Sequence, residues 1–398
     1  LIGMEELVVN RRRGLFALTV ALCAVVNYYF FFGEVLFCVL YFFIRGTLST
    51  DFRCTLKSFG LVALESVLGL LISAVLLLPS LLVVLSNPRT SDYLNGFNLL
   101  VYGNSQRYGL ILSSFFFPPD VPARPNFFPD SNAKWSSVSM YLPLVSMTGV
   151  IAYLKGAGKT WLRRILCICF AVCFIPALNA AFSLFNYSYY ARWFYMPLLL
   201  MALATCLAVE RMPGQFPSAF RWTALFTGAF ALIGVLPQKV DGEYVFFSMP
   251  EDPARFWVYV LIAAASLLCC VLLYTLRSRP KVLFRSACGA LAAVTLLTGV
   301  FMIVSGRGTA SRYDEVITNG LNGGDNLSLD TDGGFFRIDT FDELDNLGMF
   351  WRIPTINAFH SVVPSSIMDY YEWIGAERGV ASRPEASLLG VRGLLGVK

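Results

Sequence analysis

Three groups of residues have the types and spacing to do chemistry. The segment 86–137 carries Arg89, Arg107 and Lys134, cations that suit phosphate, and Asp120, a carboxylate that suits a hydroxyl. The segment from Asn179 to Trp193 carries Asn179, Asn186, Tyr190 and Arg192. Arg192 stands at the start of an apolar run, at the expected depth of lipid head groups. A guanidinium there either snorkels or holds a lipid phosphate through a charge-assisted fork. Glu34 and Glu65 are the acidic residues inside apolar stretches, where a carboxylate costs roughly 2.5–3.5 kcal/mol on insertion scales. Glu65, about two turns into its helix, is expected to snorkel. Glu34, near a hairpin tip, is a candidate polar site.

Each group also has a plainer reading. Phe115-Phe116-Phe117-Pro118-Pro119 is too apolar for a solvated linker, so 86–137 also reads as an interfacial plug without chemistry. The tyrosines and tryptophan of 179–193 suit an aromatic belt at the membrane surface.

Other patterns dissolve. Ala157-Gly158-Lys159-Thr160 is not a phosphate loop, since Tyr153 stands where the leading glycine belongs. His360, the single histidine, has no ligand neighbours, and no metal cluster or Ser/His/Asp set can be drawn. No cofactor is expected.

The elements that position these residues must lie in lipid. The chain has 398 residues, 56% hydrophobic and only 14% charged, against about 25% charged in a typical soluble domain. Nine of the ten cysteines fall in apolar stretches, Cys54 being the exception, as expected for small apolar side chains rather than disulfides. The stretch 15–44 is too long for one untilted span and is interrupted at Asn27-Tyr28-Tyr29 and Gly33-Glu34, so it predicts a hairpin. Seven further spans are predicted near 59–85, 138–154, 165–179, 193–209, 221–236, 255–276 and 286–304.

Charge orients them. Arg11–Arg13, then Arg45, Arg53 and Lys57, then Lys155, Lys159, Arg163 and Arg164, then Arg211 and Arg221, then Arg277, Arg279, Lys281 and Arg285 occupy alternate connections. Positive residues favour the cytoplasmic side. The segments 86–137, 180–192 and 305–398 are therefore expected outside. The last carries a net charge of −5 within a chain of +5 overall, so the basic excess is a topology signal and not a nucleic-acid footprint. A strand is predicted over Phe335–Asp339 after the Asp332-Gly333-Gly334 turn, and a helix over Ser365–Ile374. The fold class is mainly α: a polytopic helical bundle over 1–304, followed by an extracytoplasmic α+β domain over 305–398, cut short at the chain end. The start at Leu1 and the abrupt end suggest an internal fragment.

Asn27-Tyr28-Tyr29, Ser86-Asn87-Pro88, Phe115–Asp120, Lys134-Trp135-Ser136-Ser137, Asn179–Trp193, Phe336–Asp339 and Pro354–Ser361 resemble the YfhO family of bacterial membrane proteins along almost the whole chain. The resemblance implies a GT-C-like glycosyltransferase in the cell membrane. Its expected partners are a sugar donor on a polyprenyl (undecaprenyl) phosphate and a cell-wall polymer acceptor such as lipoteichoic acid. An outer-loop carboxylate would take the acceptor's proton and basic residues would steady the departing phosphate. In the family the aspartate for that role lies upstream of Leu1, which leaves Asp120 and Glu34 as substitutes here. Arg192, with the loop 86–137, carries over as a substrate site. A transporter or flippase of the lipid-linked sugar, or a non-catalytic assembly partner, are the alternative functions. The first would predict more mid-membrane polar residues than Glu34 and Glu65.

Overall fold

The computed structural model describes residues 1–85, 93–121, 127–128, 136–185, 190–240, 243–247, 249–308, 336–340, 346–355 and 358–359, with 366, 369, 373, 381–382 and 394–397. They fall into two compact units: Leu1–Leu77 with Asp92–Gly306, and Leu78–Ser91 with Arg307–Lys398. Helices dominate, and the chain is a mainly α polytopic membrane protein.

The first unit opens with α1 (Ile2–Val8), α2 (Leu15–Val26) and α3 (Tyr28–Leu48). Asn27 separates α2 from α3. Its backbone is extended, and its side chain accepts from the Tyr29 and Phe30 N–H groups at 3.1 and 3.3 Å, capping α3. Helix α1 touches both neighbours. A Cβ on Gly3 would lie 2.6 Å from Thr19 Oγ1 in α2, while Glu5 accepts from Tyr41 and Arg45 near the end of α3. The start of α2 and the end of α3 thus share one end, and the pair runs antiparallel.

Helix α4 (Leu56–Leu85) lies against α2. Gly69 permits the approach, since a Cβ there would stand 2.6 Å from the Ala17 carbonyl oxygen. One turn earlier, Glu65 is buried and accepts from the N–H groups of Gly14 and Ala17. The snorkelling expected of Glu65 is therefore corrected. The first N–H groups of a helix lack intrahelical acceptors, and Gly14 has no side chain to cap α2. Glu65 supplies the oxygens from the neighbouring helix.

Downstream come α5 (Gln106–Ser113), α6 (Thr148–Gly156), α7 (Trp161–Cys173), α8 (Pro176–Ala180), α9 (Tyr195–Arg211), α10 (Phe216–Ile233), α11 (Pro253–Thr275) and α12 (Pro280–Gly308). Small residues let α6 approach its neighbours. Gly149 faces Thr205 of α9, with room for no side chain, and Thr148 Oγ1 donates to Thr223 Oγ1 of α10 at 3.0 Å.

Among the described residues, five helices are long and apolar enough to cross a membrane: Tyr28–Leu48, Leu56–Leu85, Arg192–Arg211, Pro253–Ser278 and Pro280–Gly306. A sixth span results if Trp161–Cys173 and Pro176–Ser183, bent by 106°, count together. The bend falls at Pro176, whose ring disfavours helix in the preceding residue. Two stretches differ from the predicted spans. Over 138–154 the helix begins only at Thr148, and Met140, Leu142, Leu144 and Val150 are buried in the protein. Burial within the protein accounts for the apolar side chains at these positions. Helix α10 is 18 residues long but is not among the five.

Two short strands, β1 (Gln238–Val240) and β2 (Glu243–Val245), pair antiparallel. In the second unit β3 (Arg337–Thr340) runs parallel to the terminal β6 (Leu394–Val397), and β4 (Ala358–Phe359) pairs antiparallel with β5 (Ala381–Ser382). Strand β3 overlaps the predicted Phe335–Asp339. The Asp332–Gly334 turn lies outside the described residues. Of the helix predicted over 365–374, Ser366, Asp369 and Trp373 are described, each helical.

Candidate functional site

Arg192 opens the 3-10 turn Arg192–Phe194 that leads into α9. Its guanidinium carbon lies 4.2 Å from the centre of the Tyr190 ring and 5.7 Å from that of Tyr29. A planar guanidinium laid on rings keeps its donors at the edge, where phosphate oxygens can be met in a fork. A small cleft beside it is lined by Tyr29, Gly33, Ser183, Tyr190 and Arg192. Gly33 is required there, since a Cβ would stand 2.9 Å from the Phe182 carbonyl oxygen.

Asn179 holds this segment from inside. It is fully buried in α8; its Oδ1 accepts from Trp193 Nε1 at 2.8 Å and its Nδ2 donates to the Tyr190 carbonyl at 3.1 Å. The backbone on both sides of Arg192 is thereby fixed by one amide. Trp193 stacks on Phe182 with ring centres 4.1 Å apart. Asn186 lies outside the described residues.

Within 86–137, Arg107 of α5 is buried at 1% exposure. It donates through Nη1 to Ser136 Oγ at 2.9 Å and lies 5.8 Å from the Tyr102 ring centre. The Ser136 carbonyl in turn accepts from the Ala191 N–H at 2.8 Å. Arg107 is thus linked through Ser136 to the residue preceding Arg192, an arrangement in which it supports the segment from the interior. Arg89 and Lys134 lie outside the described residues.

Asp120 is brought to a residue that sequence reasoning did not single out. Arg255, in the first turn of α11 and 5% exposed at its side chain, places Nε 3.1 Å from Asp120 Oδ1. Asp252 caps the same helix, accepting from the Arg255 N–H at 3.0 Å. The Asp120 end lines a cleft of about 60 Å³ with Ser113, Ser114, Phe127, Phe256 and Tyr259. Arg255 is 135 positions from Asp120 in the chain, so no local spacing signals the pair.

Glu34 lies on α3 and accepts from Tyr195 Oη, in the first turn of α9, at 2.6 Å through Oε1. Its Oε2 is buried without a hydrogen-bond partner. The Cys23 thiol of α2 is near enough to interact electrostatically. The structure thus sets three sites around α3 and α9, α5 and α11; Arg192 and Glu34 share the α3–α9 contact, while Asp120 belongs to the α11 cleft.

No curated protein and no solved structure matches this chain. The profile of the family described as "Bacterial membrane protein YfhO" matches residues 1–388, nearly the full length over which the helices, the Asn179–Arg192 segment and β3 have been described. The chain belongs to the YfhO family of bacterial membrane proteins.

Proposed function

We propose that this chain is part of a GT-C-like membrane glycosyltransferase that moves a sugar from a polyprenyl phosphate to an extracytoplasmic cell-wall polymer such as lipoteichoic acid. Family membership supports a membrane cell-envelope role. The observation that carries the finer reading is Arg192. It stands at the head of an apolar helix, laid over Tyr190 and Tyr29, beside a cleft, and fixed on both flanks by Asn179.

In the reaction an acceptor hydroxyl oxygen attacks the anomeric carbon, and the bond from that carbon to the phosphate oxygen breaks. The hydroxyl proton passes to a base, and the polyprenyl phosphate departs with the bonding pair. Arg192 meets the charge that grows on the leaving phosphate, so its forked donors are worth more in the transition state than in the ground state. Asp120 is poorly suited to the base role because its carboxylate is engaged by Arg255. Glu34 is engaged on one oxygen only.

The test is transfer of labelled sugar from lipid carrier to polymer by the full-length protein in vesicles. Arg192→Ala is expected to lower the rate about a hundredfold, with Arg192→Lys intermediate because an ammonium lacks the fork. An unchanged rate for Arg192→Ala removes Arg192 from the site. Movement of the lipid-linked sugar across the vesicle membrane without transfer would replace the enzyme by a flippase.

A further inference from the structure

Helices α2, α3 and α4 surround a cavity of about 200 Å³, larger than the cleft beside Asp120. Its walls are mostly hydrocarbon, including Phe16, Val20, Val35 and Val62. Five side chains bearing a heteroatom with a proton or charge interrupt them: Thr19, Ser66, Cys23, Cys38 and Glu34. Two are already spent, since Thr19 donates to the Phe16 carbonyl and Ser66 to the Val62 carbonyl, each at 2.8 Å. Cys23 and Cys38 carry thiols, which are weak donors, and the Cys23 thiol already lies beside the Glu34 carboxylate. Glu34 remains, with Oε2 buried and without a hydrogen-bond partner.

An unpaired carboxylate oxygen in an apolar wall is costly and invites a donor. The terminal torsion of glutamate is soft, so a modest turn presents Oε2 to the cavity while the helix stays in place. An anion would be repelled, which separates this cavity from the Arg192 cleft and its proposed phosphate. A cation would have to be carried into the apolar region, at roughly 2.5–3.5 kcal/mol on insertion scales. A neutral hydroxyl donates a hydrogen bond without that cost. For scale, a dry apolar cavity of about 150 Å³ binds benzene, so this one accommodates a short stretch of hydrocarbon whose remainder trails into the bilayer.

We infer that the α2–α4 cavity is a binding site for a neutral lipid alcohol, whose chain lies among the apolar side chains and whose hydroxyl donates to Glu34. The inference does not depend on the proposed transfer reaction.

The test uses the full-length protein in detergent with a photoreactive hexadecanol, followed by identification of the labelled peptides. Labelling of α2–α4 is expected to saturate and to be displaced by unlabelled hexadecanol but not by hexadecyl phosphate. Glu34→Leu is expected to weaken binding about tenfold or more, the loss of a hydrogen bond to a charged group. Val62→Phe, which fills the cavity and leaves Glu34 and Tyr195 in place, is expected to weaken it comparably. Melting curves of both variants show whether each is folded. Equal competition by hexadecyl phosphate would overturn the inference in favour of a phosphate lipid. Labelling unchanged in folded Glu34→Leu or folded Val62→Phe would overturn it in favour of adventitious lipid contact only.

Discussion

The Glu65 carboxylate of α4 accepts from the Gly14 N–H at 2.7 Å, closing the open start of α2 from a residue 51 positions away. Its second oxygen accepts from Ala17 at 3.2 Å. This is the work of a capping side chain performed between helices. Glu65→Ala leaves two donors without acceptors and is expected to destabilise the folded protein by about 2–3 kcal/mol. Glu65→Gln keeps one acceptor oxygen and should lose less. Melting in detergent separates the two, and an unchanged midpoint for Glu65→Ala would show that water replaces the carboxylate.

At the same end of the α2–α3 pair, Arg45 is buried between two carboxylates and two rings. It lies 2.9 Å from Glu5 and 2.8 Å from Asp51, with Phe52 and Trp161 on its faces. Arg45→Leu removes the cation from two partly exposed carboxylates, and the expected loss is about 1.5–3 kcal/mol, the range for hydrogen bonds to charged groups. Asp51 contributes a pH dependence. Its hydrogen bond from Arg45 holds its carboxyl below the usual carboxylate range. A lowered folded value means the contribution is complete above the unfolded value, about pH 3.9, and is lost as pH falls through the folded value. The melting difference between wild type and Asp51→Asn should therefore be constant near neutrality and shrink below about pH 4. A difference that shrinks between pH 6 and 8 would contradict this.

Asn179 should behave as a positioning residue for Arg192. Asn179→Leu leaves Trp193 Nε1 and the Tyr190 carbonyl unpaired in a buried place, a cost of about 1–3 kcal/mol for each group. Under the proposed reaction it should slow transfer by mislocating the guanidinium, and the double variant with Arg192→Ala should be little slower than Arg192→Ala alone. Multiplicative losses in the double variant would show that Asn179 acts on something else.

Asn27 is legible as a helix break because it caps locally, within three residues of the N–H groups that donate to it. The long apolar helices are legible because lipid demands length and composition. Residues 138–147 are not, since burial in protein and exposure to lipid select the same side chains, and hydropathy alone does not separate them. The partners Glu65–Gly14, Asp120–Arg255 and Glu34–Tyr195 are set by helix packing across 51, 135 and 161 positions, for which one sequence holds no periodic signal. Arg192 is legible from its place at the head of an apolar run; the hydrogen bonds by which Asn179 fixes it are not, since they depend on how α8 folds back on the Tyr190–Trp193 backbone.

Orientation is open to direct measurement. The alternation of Lys and Arg predicts that 155–164 faces the cytoplasm and 305–398 the opposite side. In a background with the native cysteines replaced, Asp345→Cys should react with an impermeant maleimide in intact cells and Lys159→Cys only after lysis. The reverse pattern would move the Arg192 cleft to the cytoplasmic side and remove the extracytoplasmic acceptor with it.

Asp120 and Arg255 offer a test that separates an ion pair from a catalytic base. Arg255 is almost wholly buried and Asp120 largely so, and removing one partner of such a pair costs about 3–5 kcal/mol because the other charge stays buried. Asp120→Asn and Arg255→Leu should each lower the melting point, and the double variant should recover part of the loss. A base would behave differently. Asp120→Asn would then abolish transfer with little effect on melting, and Arg255→Leu would not be rescued by it. The 3.1 Å contact predicts the first pattern, with transfer falling in proportion to the folded fraction and no further.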